Sequence, residues 1–292
     1  WDCHGLPIEL AVEKAHGKPG VDGARDFRRA CRAYAEAQVA RQREDFIRLG
    51  VLADWDHPYL TMDPAYEADI VRSLAQIVAN GHLQRGAKPV HWCVDCGSAL
   101  AEAEAQAAEH QSPAVDVRFP CPEPEVLFAR LQHAPEGKGA GPVSVVIWTT
   151  TPWTLPANQA VAVHPELDYV LIEVEGAQGR ERLLVAQAEV DAVLARWGTE
   201  THRVLAYGPG AALEGVRLRH PFQAREVPVI LADFVTTGTG TGLVHIAPAH
   251  GPDDYAVGQR YGLAVDNPVG PDGRYFPDVP DLAGKPVLTA HD

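Results

Sequence analysis

Apolar residues recur at helical spacing in the opening third of the chain and then give way to short β-rich runs. Over residues 26–49, Phe27, Cys31, Tyr34, Phe46 and Leu49 fall near one helical face, and Gly50 stands where such a helix would end. A second helix is better marked, because Asp63 can cap it, Pro64 suits its first position and Gly81 can terminate it. Between those signals Tyr66, Ile70, Leu74, Ile77 and Val78 share a face. This opening stretch is therefore expected to be mainly helical.

The texture changes over residues 120–142, where Pro120, Pro122, Pro124, Pro135 and Pro142 with several glycines read as a loop or domain seam. Short β-rich runs follow at 143–150, 169–174, 183–186, 227–231 and 243–247, separated by Gly and Pro turns, with one helix near 188–197. Many short strands with few helices predict a compact, β-barrel-like domain. The division expected is 1–112, a mainly helical part ending in a Cys-x-x-Cys segment, and 113–292, the β-rich part.

Composition narrows the class. A chain of 292 residues suffices for two domains with their own cores. No apolar run is long enough to span a membrane, and the opening residues do not read as a signal peptide. Because Trp1 is no initiator and starts in mid-motif, the chain is expected to be a fragment. Net charge is −14, with 12 basic against 17 acidic residues in 1–110 and 13 against 22 in 111–292. Both halves are acidic, which argues against non-specific nucleic-acid binding, since phosphates demand Lys and Arg. A nucleic-acid partner would have to be gripped locally or by parts outside this chain. Five cysteines, odd in number and unevenly spaced, do not resemble a secreted disulfide framework and point to a reducing, cytoplasmic setting.

Candidate chemistry sits in four places. At the start, Asp2 could pair with a substrate ammonium and Gly5 could let the backbone approach a ligand, although the same residues suit a polar turn into a helix. Cys93 and Cys96 are half of a tetrahedral zinc site; with no second pair here, two further ligands would lie beyond residue 292, and two unliganded thiols are the plain alternative. Thr149, Thr150, Thr151 and Thr154 fall within six positions, with Pro152 and Pro156 pinning the turn and Asn158 closing it. Pro152 forbids continuation as a central strand, so these hydroxyls are expected at a strand's end. About ninety residues on, His245, His250, Asp253 and Asp254 offer imidazoles and carboxylates at the mouth of a helix, where one aspartate could simply cap. Gly238, Gly240 and Gly242 invite a phosphate-loop reading, which fails because a strand and not a helix follows.

With these residues in hand the chain resembles the isoleucyl-tRNA synthetases, of class I. The likeness runs through residues 1–9, 57–63, 88–104, 148–158 and 245–255. The valyl and leucyl relatives carry an arginine between the threonines and the proline where this chain has Thr150-Thr151-Pro152. The resemblance implies an α/β fold: part of a Rossmann-like catalytic domain, mainly helical here, with an inserted editing domain. It implies ATP, isoleucine and tRNA-Ile as partners of the whole protein, a monomeric state, and valine, as Val-tRNA-Ile, as the editing substrate. It also implies roles. Asp254 holds the α-ammonium of the misattached valine, its helix start favouring the ionised form. Thr149, Thr150, Thr151 and Thr154 orient the terminal adenosine, the ester carbonyl and the water. His245 shapes the wall that excludes isoleucine, Asn158 supports the turn, and Asp2 with Gly5 serves the synthetic site. The double sieve is borrowed from what is known of this family, whose pockets separate isoleucine from valine by only about 1–3 kcal/mol.

Two departures stand out. The His-x-Gly-His and Lys-Met-Ser-Lys-Ser elements of the class are missing, Met62 being the only methionine, so this stretch alone is not expected to activate isoleucine. Ile246 and Ala249 replace the Thr and Gly expected in the second editing motif. Two readings compete: a metal-dependent hydrolase built on His245, His250 and Asp253, and a non-catalytic module that binds a tRNA acceptor end.

Overall fold

The computed structural model describes every residue except 136, 177–178, 200 and 291–292, and it divides into two units, Trp1–Gly86 and Ala87–Asp292. In the first unit the helical expectation holds, with α1 (Leu6–His16), α2 (Ala24–Arg48) and α3 (Pro64–Ala79). Asp63 caps α3 as its position suggested, its carboxylate accepting from the Ala65 N–H at 2.8 Å. The apolar face of α3 is not covered within this unit: Ile70, Leu74 and Ile77 are all about half exposed. The small core instead gathers Cys3, Ala35 and Met62, flanked by Trp1, Ile8, Val39 and Leu60. No strand occurs among the described residues of this unit, so none of a Rossmann-like sheet is found there.

The second unit opens with a two-stranded hairpin, β1 (Trp92–Cys93) and β2 (Ser98–Ala99). Then come β3 (Val115–Pro120), α4 (Pro124–Arg130), β4 (Gln132–His133) and β5 (Val143–Thr149). A 3-10 turn, Pro152–Ala157, leads to β6 (Ala160–Val163), β7 (Asp168–Gly176), β8 (Gly179–Ala186) and α5 (Val190–Trp197). The rest is β9 (His202–Pro209), β10 (Arg217–Arg219), β11 (Glu226–Leu231), β12 (Val244–Ile246) and α6 (Pro252–Tyr261). All five anticipated strands and the anticipated helix form. The sequence pattern missed β1, β2, β3, β4, β6, β9 and β10.

The barrel expectation is corrected. Apart from the β1–β2 hairpin, the strands form two mixed sheets, one of six in the order β3-β5-β8-β7-β9-β4 and one of four in the order β10-β11-β6-β12, with parallel pairs at β5/β8 and β11/β6. The sheets face each other across a shared core that includes Phe119, Val145, Ile147, Leu171 and Leu184 from the larger and Val161, Val163, Leu218 and Val229 from the smaller. Each outer face is covered by a helix. Val146, Ile172, Leu183 and Val185 pack on Val190, Val193 and Leu194 of α5. Ala160, Ala162 and Ile230 pack near Val257 of α6. Strands buried on both faces need no polar alternation, which is why 145–147 and 160–163 read as unbroken apolar runs. A barrel would leave its outer face wet, and these strands have no such face.

Candidate active site

The two motifs meet because β6 follows directly on the threonine turn. Strand β12 pairs antiparallel with β6, setting His245 opposite Val161, and Gln159 N–H donates to Ile246 O at 2.8 Å to close the pair. His245 is thereby carried beneath the turn. Its Nε2 lies 2.8 Å from Thr154 Oγ1 and its Nδ1 lies 3.4 Å from Asn158 Nδ2. Thr154 Oγ1 donates its one hydrogen to Thr151 O at 2.9 Å, so it must accept from the imidazole. The ring hydrogen therefore sits on Nε2, an assignment from the network, and the bare Nδ1 accepts from Asn158, which also donates to Ala160 O at 2.8 Å.

All three members of this chain are buried, Asn158 completely. Burial, with His250 and His220 nearby, pushes His245 down to about 4, so it is neutral at physiological pH. Both its ring nitrogens are in use. That makes His245 a strut between the turn and β12, and it leaves no lone pair for a metal or for general-base work.

Above the turn, Thr149 Oγ1 accepts from the Thr151 N–H at 3.1 Å and lies 3.3 Å from Thr151 Oγ1, as expected of hydroxyls where β5 stops. Thr149 is buried while Thr150 and Thr151 are exposed. Trp153 meets the His250 ring edge-on, with centroids 5.1 Å apart.

Asp254 enters from the first turn of α6. Its Oδ2 accepts from Ala247 N–H at 2.8 Å, tying it two residues from His245. Gly251 permits this fold-back, since a Cβ there would lie 3.0 Å from the Asp254 carboxyl carbon. The helix start does not decide its charge. Burial raises the carboxyl above its ordinary value, the Ala247 N–H opposes that, and Asp253 adds to it. Asp253 itself is exposed, and no side chain caps α6. The structure thus joins Thr149, Thr151, Thr154, Asn158, His245 and Asp254 through short bonds and one strand pairing. His250 joins through the Trp153 ring, and its Nε2 is buried without a partner. A cavity of about 550 Å3 is lined by Trp153, Ala249 and His250 on the side towards Trp92 and Phe276. The threonines and Asp254 do not line it.

Further residues support the site. Gly238, Gly240 and Gly242 have positive φ and feed strand β12, with no helix following them to make a phosphate loop. Gly240 also lies so close to Trp148 that a Cβ would stand 3.0 Å from its side chain, and Glu189 accepts from the Gly238 N–H. Tyr275, His220 and Arg225 each donate to a carbonyl of the 152–157 turn. A buried histidine or arginine looks like any other in a sequence; only its partner distinguishes it.

Elsewhere, Gly5 has φ 114, precedes α1 and lines a cavity of about 500 Å3 in the first unit, whereas Asp2 is exposed and does not line it. Cys93 and Cys96 form no disulfide and lie half-buried on the β1–β2 hairpin. Cys96 N–H points at Cys93 Sγ at 3.3 Å, and this bond, ahead of the Cys96 side chain, lowers the Cys93 thiol. Among the described residues no group of three His, Cys, Asp or Glu is placed to hold a metal.

Burial of neutral imidazoles predicts a pH effect on stability. His245 and His220 are both lowered to about 4, against 6.5 in an unfolded chain. Between those values the unfolded state binds the extra proton, so stability is fully present above about pH 6.5 and falls as pH drops towards 4, by at most ~3 kcal/mol per histidine. Urea melts at pH 7 and pH 4.5 should show the loss, and the double variant His220→Gln/His245→Gln should flatten it.

Comparison with known proteins places the chain. Residues 1–256 match the family model of tRNA synthetases class I (I, L, M and V). The isoleucine–tRNA ligase of Methylococcus capsulatus is 63% identical over the whole of this chain, which covers 31% of that protein. That of Nitrosococcus oceani is 61% identical, again over the whole chain and 31% of the relative. The chain therefore spans about a third of the length of these relatives. Among solved structures, the editing domain of the P. knowlesi cytosolic leucyl-tRNA synthetase aligns with 52% of this chain and 66% of its own, at 10% identity and a TM-score of 0.41.

Proposed function

Since the chain belongs to the class I tRNA synthetases (I, L, M and V), we propose that it is the editing segment, with an adjoining part of the catalytic domain, of an isoleucine–tRNA ligase. The whole protein would activate isoleucine with ATP and charge tRNA-Ile; this stretch would hydrolyse valine misattached to that tRNA. The boundary proposed is residue 112, with 1–112 belonging to the catalytic and connective part and 113–292 to the editing domain. The observation that carries the reading is the 2.8 Å bond from Thr154 to His245, which closes the threonine turn onto the strand leading to Asp254.

The chemistry follows from the groups present. An α-ammonium arriving at Asp254 offsets the burial that raises its carboxyl, so binding favours the ionised form and the pair gains a charge-assisted bond. Thr149, Thr150 and Thr151 present hydroxyls around the ester, and Thr154 with His245 forms the wall against the side chain. No described residue of this group stands as a free general base, so water is activated by position, beside the substrate's own ribose hydroxyl. Thr154 and Asn158 act through the wall, while Asp2 and Gly5 would serve the isoleucine ammonium and backbone approach in the synthetic site.

Cys93 and Cys96 fit zinc as half a set: a pair of sulfurs three residues apart on a hairpin, one already drawn towards thiolate by an N–H. Two further ligands would come from outside this chain. Zinc there would brace the hairpin and take no part in hydrolysis. A monomer working in the cytoplasm completes the proposal.

The test is hydrolysis of Val-tRNA-Ile and Ile-tRNA-Ile by the full-length protein, with and without a chelator. Val-tRNA-Ile should be cleaved, Ile-tRNA-Ile spared, and the rates should ignore the chelator. Binding without turnover would favour an acceptor-end module, and loss of turnover in chelator would favour a metal hydrolase on His245, His250 and Asp253.

A further inference from the structure

The 152–157 turn is held from outside itself. Its Trp153 carbonyl accepts from Tyr275 Oη at 2.6 Å, its Leu155 carbonyl from His220 Nε2 at 2.9 Å, and its Pro156 carbonyl from Arg225 Nη2 at 2.9 Å. The donors come from two separate regions: His220 and Arg225 bracket the turn between β10 and β11, and Tyr275 lies in the segment after α6. We propose that His220, Arg225 and Tyr275 are positioning residues that set the width of the substrate wall, and hence its preference for a valyl over an isoleucyl ester. The inference rests on the editing reading above.

Three observations carry it. First, the turn holds itself only in part: Thr154 N–H donates to Thr151 O and Asn158 N–H to Leu155 O, each at 3.0 Å, Pro156 inside the run has no N–H to give, and 3-10 bonds are weak. Second, the donors are aimed. His220 is 2% exposed, and its Nδ1 accepts from Gln223 N–H at 3.0 Å, so its hydrogen is on Nε2 and points at Leu155 O. The Phe119 and Phe222 rings meet it edge-on, with centroids at 6.0 and 4.7 Å. Arg225 gives up solvation to reach Pro156 O, which lowers its ordinarily high pKa, and leaves its own Nε buried without a partner. Each donor satisfies a carbonyl that an apolar residue in its place would leave without that bond, and an unpaired buried polar group costs about 1–3 kcal/mol. Third, the gripped residues flank Thr154, whose hydroxyl is the contact to His245. One methylene separates the two substrates, so a wall that relaxes by about an ångström loses the distinction.

The experiment uses the full-length protein with Arg225→Met, His220→Gln and Tyr275→Phe, the last of which removes one hydroxyl and leaves its buried ring in place. Rates on Val-tRNA-Ile and Ile-tRNA-Ile are read for each, together with the 15N shifts of His245. The expected result is that Arg225→Met raises hydrolysis of Ile-tRNA-Ile by about tenfold or more, within the worth of a methylene, while hydrolysis of Val-tRNA-Ile changes little. Tyr275→Phe should show a smaller change in the same direction, and Arg225→Lys and His220→Gln, which can still donate, should keep most of the selectivity. In Arg225→Met the His245 ring should also leave its single Nε2–H tautomer for a mixture. Rates that fall together, with the selectivity ratio within about twofold of wild type, or an unchanged His245 tautomer, would overturn the proposal. Wild-type protein that cleaves neither substrate would overturn the editing reading, and the tautomer measurement would still judge the clamp.

Discussion

Replacing Asp254 with asparagine is expected to lower hydrolysis of Val-tRNA-Ile by about a hundredfold or more while leaving the fold at least as stable. Asparagine has the size of aspartate, and its Oδ1 can still accept from the Ala247 N–H that now holds the carboxylate at 2.8 Å. What it lacks is charge. Truncating one partner of a desolvated ion pair costs about 2–5 kcal/mol, roughly thirtyfold to several thousandfold in rate or affinity. Stability moves the other way. Burial holds the Asp254 carboxyl above its unfolded value, so the stability linked to its proton is present at low pH and lost as pH rises through the folded value. The amide removes that loss. Steady-state deacylation with a thermal melt decides the matter, and an asparagine variant working within about threefold of wild type would end the assignment.

The second large effect is expected at His245. In His245→Ala, hydrolysis of correctly charged Ile-tRNA-Ile should rise by about 10- to 200-fold, the range one methylene commands in a hydrophobic pocket. The imidazole is buried against the threonine turn, so its loss opens more room than isoleucine requires. Thr154 keeps its bond to Thr151 O and Asn158 keeps its bond to Ala160 O, so the turn loses a strut but not its whole network. A stability cost of about 2–4 kcal/mol is still expected from the cavity and the lost bonds. Because His245 is neutral and fully bonded, cleavage of Val-tRNA-Ile should show no step near pH 6.5 that alanine abolishes. Comparing the two charged tRNAs at several pH values tests both points. Unchanged selectivity would assign the wall to other residues.

How much of this was legible beforehand differs from element to element. The cap of α3 was readable because Asp63 and Pro64 act within one turn of chain. The strand ending at Thr149 was readable because Pro152 cannot pair as a central strand. The apolar run of β5 announced a strand but not its arrangement, since a strand buried on both faces carries no alternation to say which sheet it joins. The barrel expectation failed there. The helix-start argument for Asp254 failed for a related reason: a helix terminus is a local feature, whereas burial is set by what packs over it, and burial prevailed. The apolar face of α3 was legible as a pattern, yet nothing within its own unit covers it.

The sequence by itself determined the local elements, the two motifs and the types of group they bring, because capping, proline geometry and hydrophobic period act over a few residues. Tertiary structure alone decided which groups touch. Pairing of β12 with β6 put His245 under Thr154, 91 residues away. The donors that hold the turn reach it from 65, 69 and 122 residues along the chain. Hydrogen bonds select on distance and angle, and burial on the whole surrounding volume. Both depend on how distant segments pack, so neither can be read from neighbours in the chain.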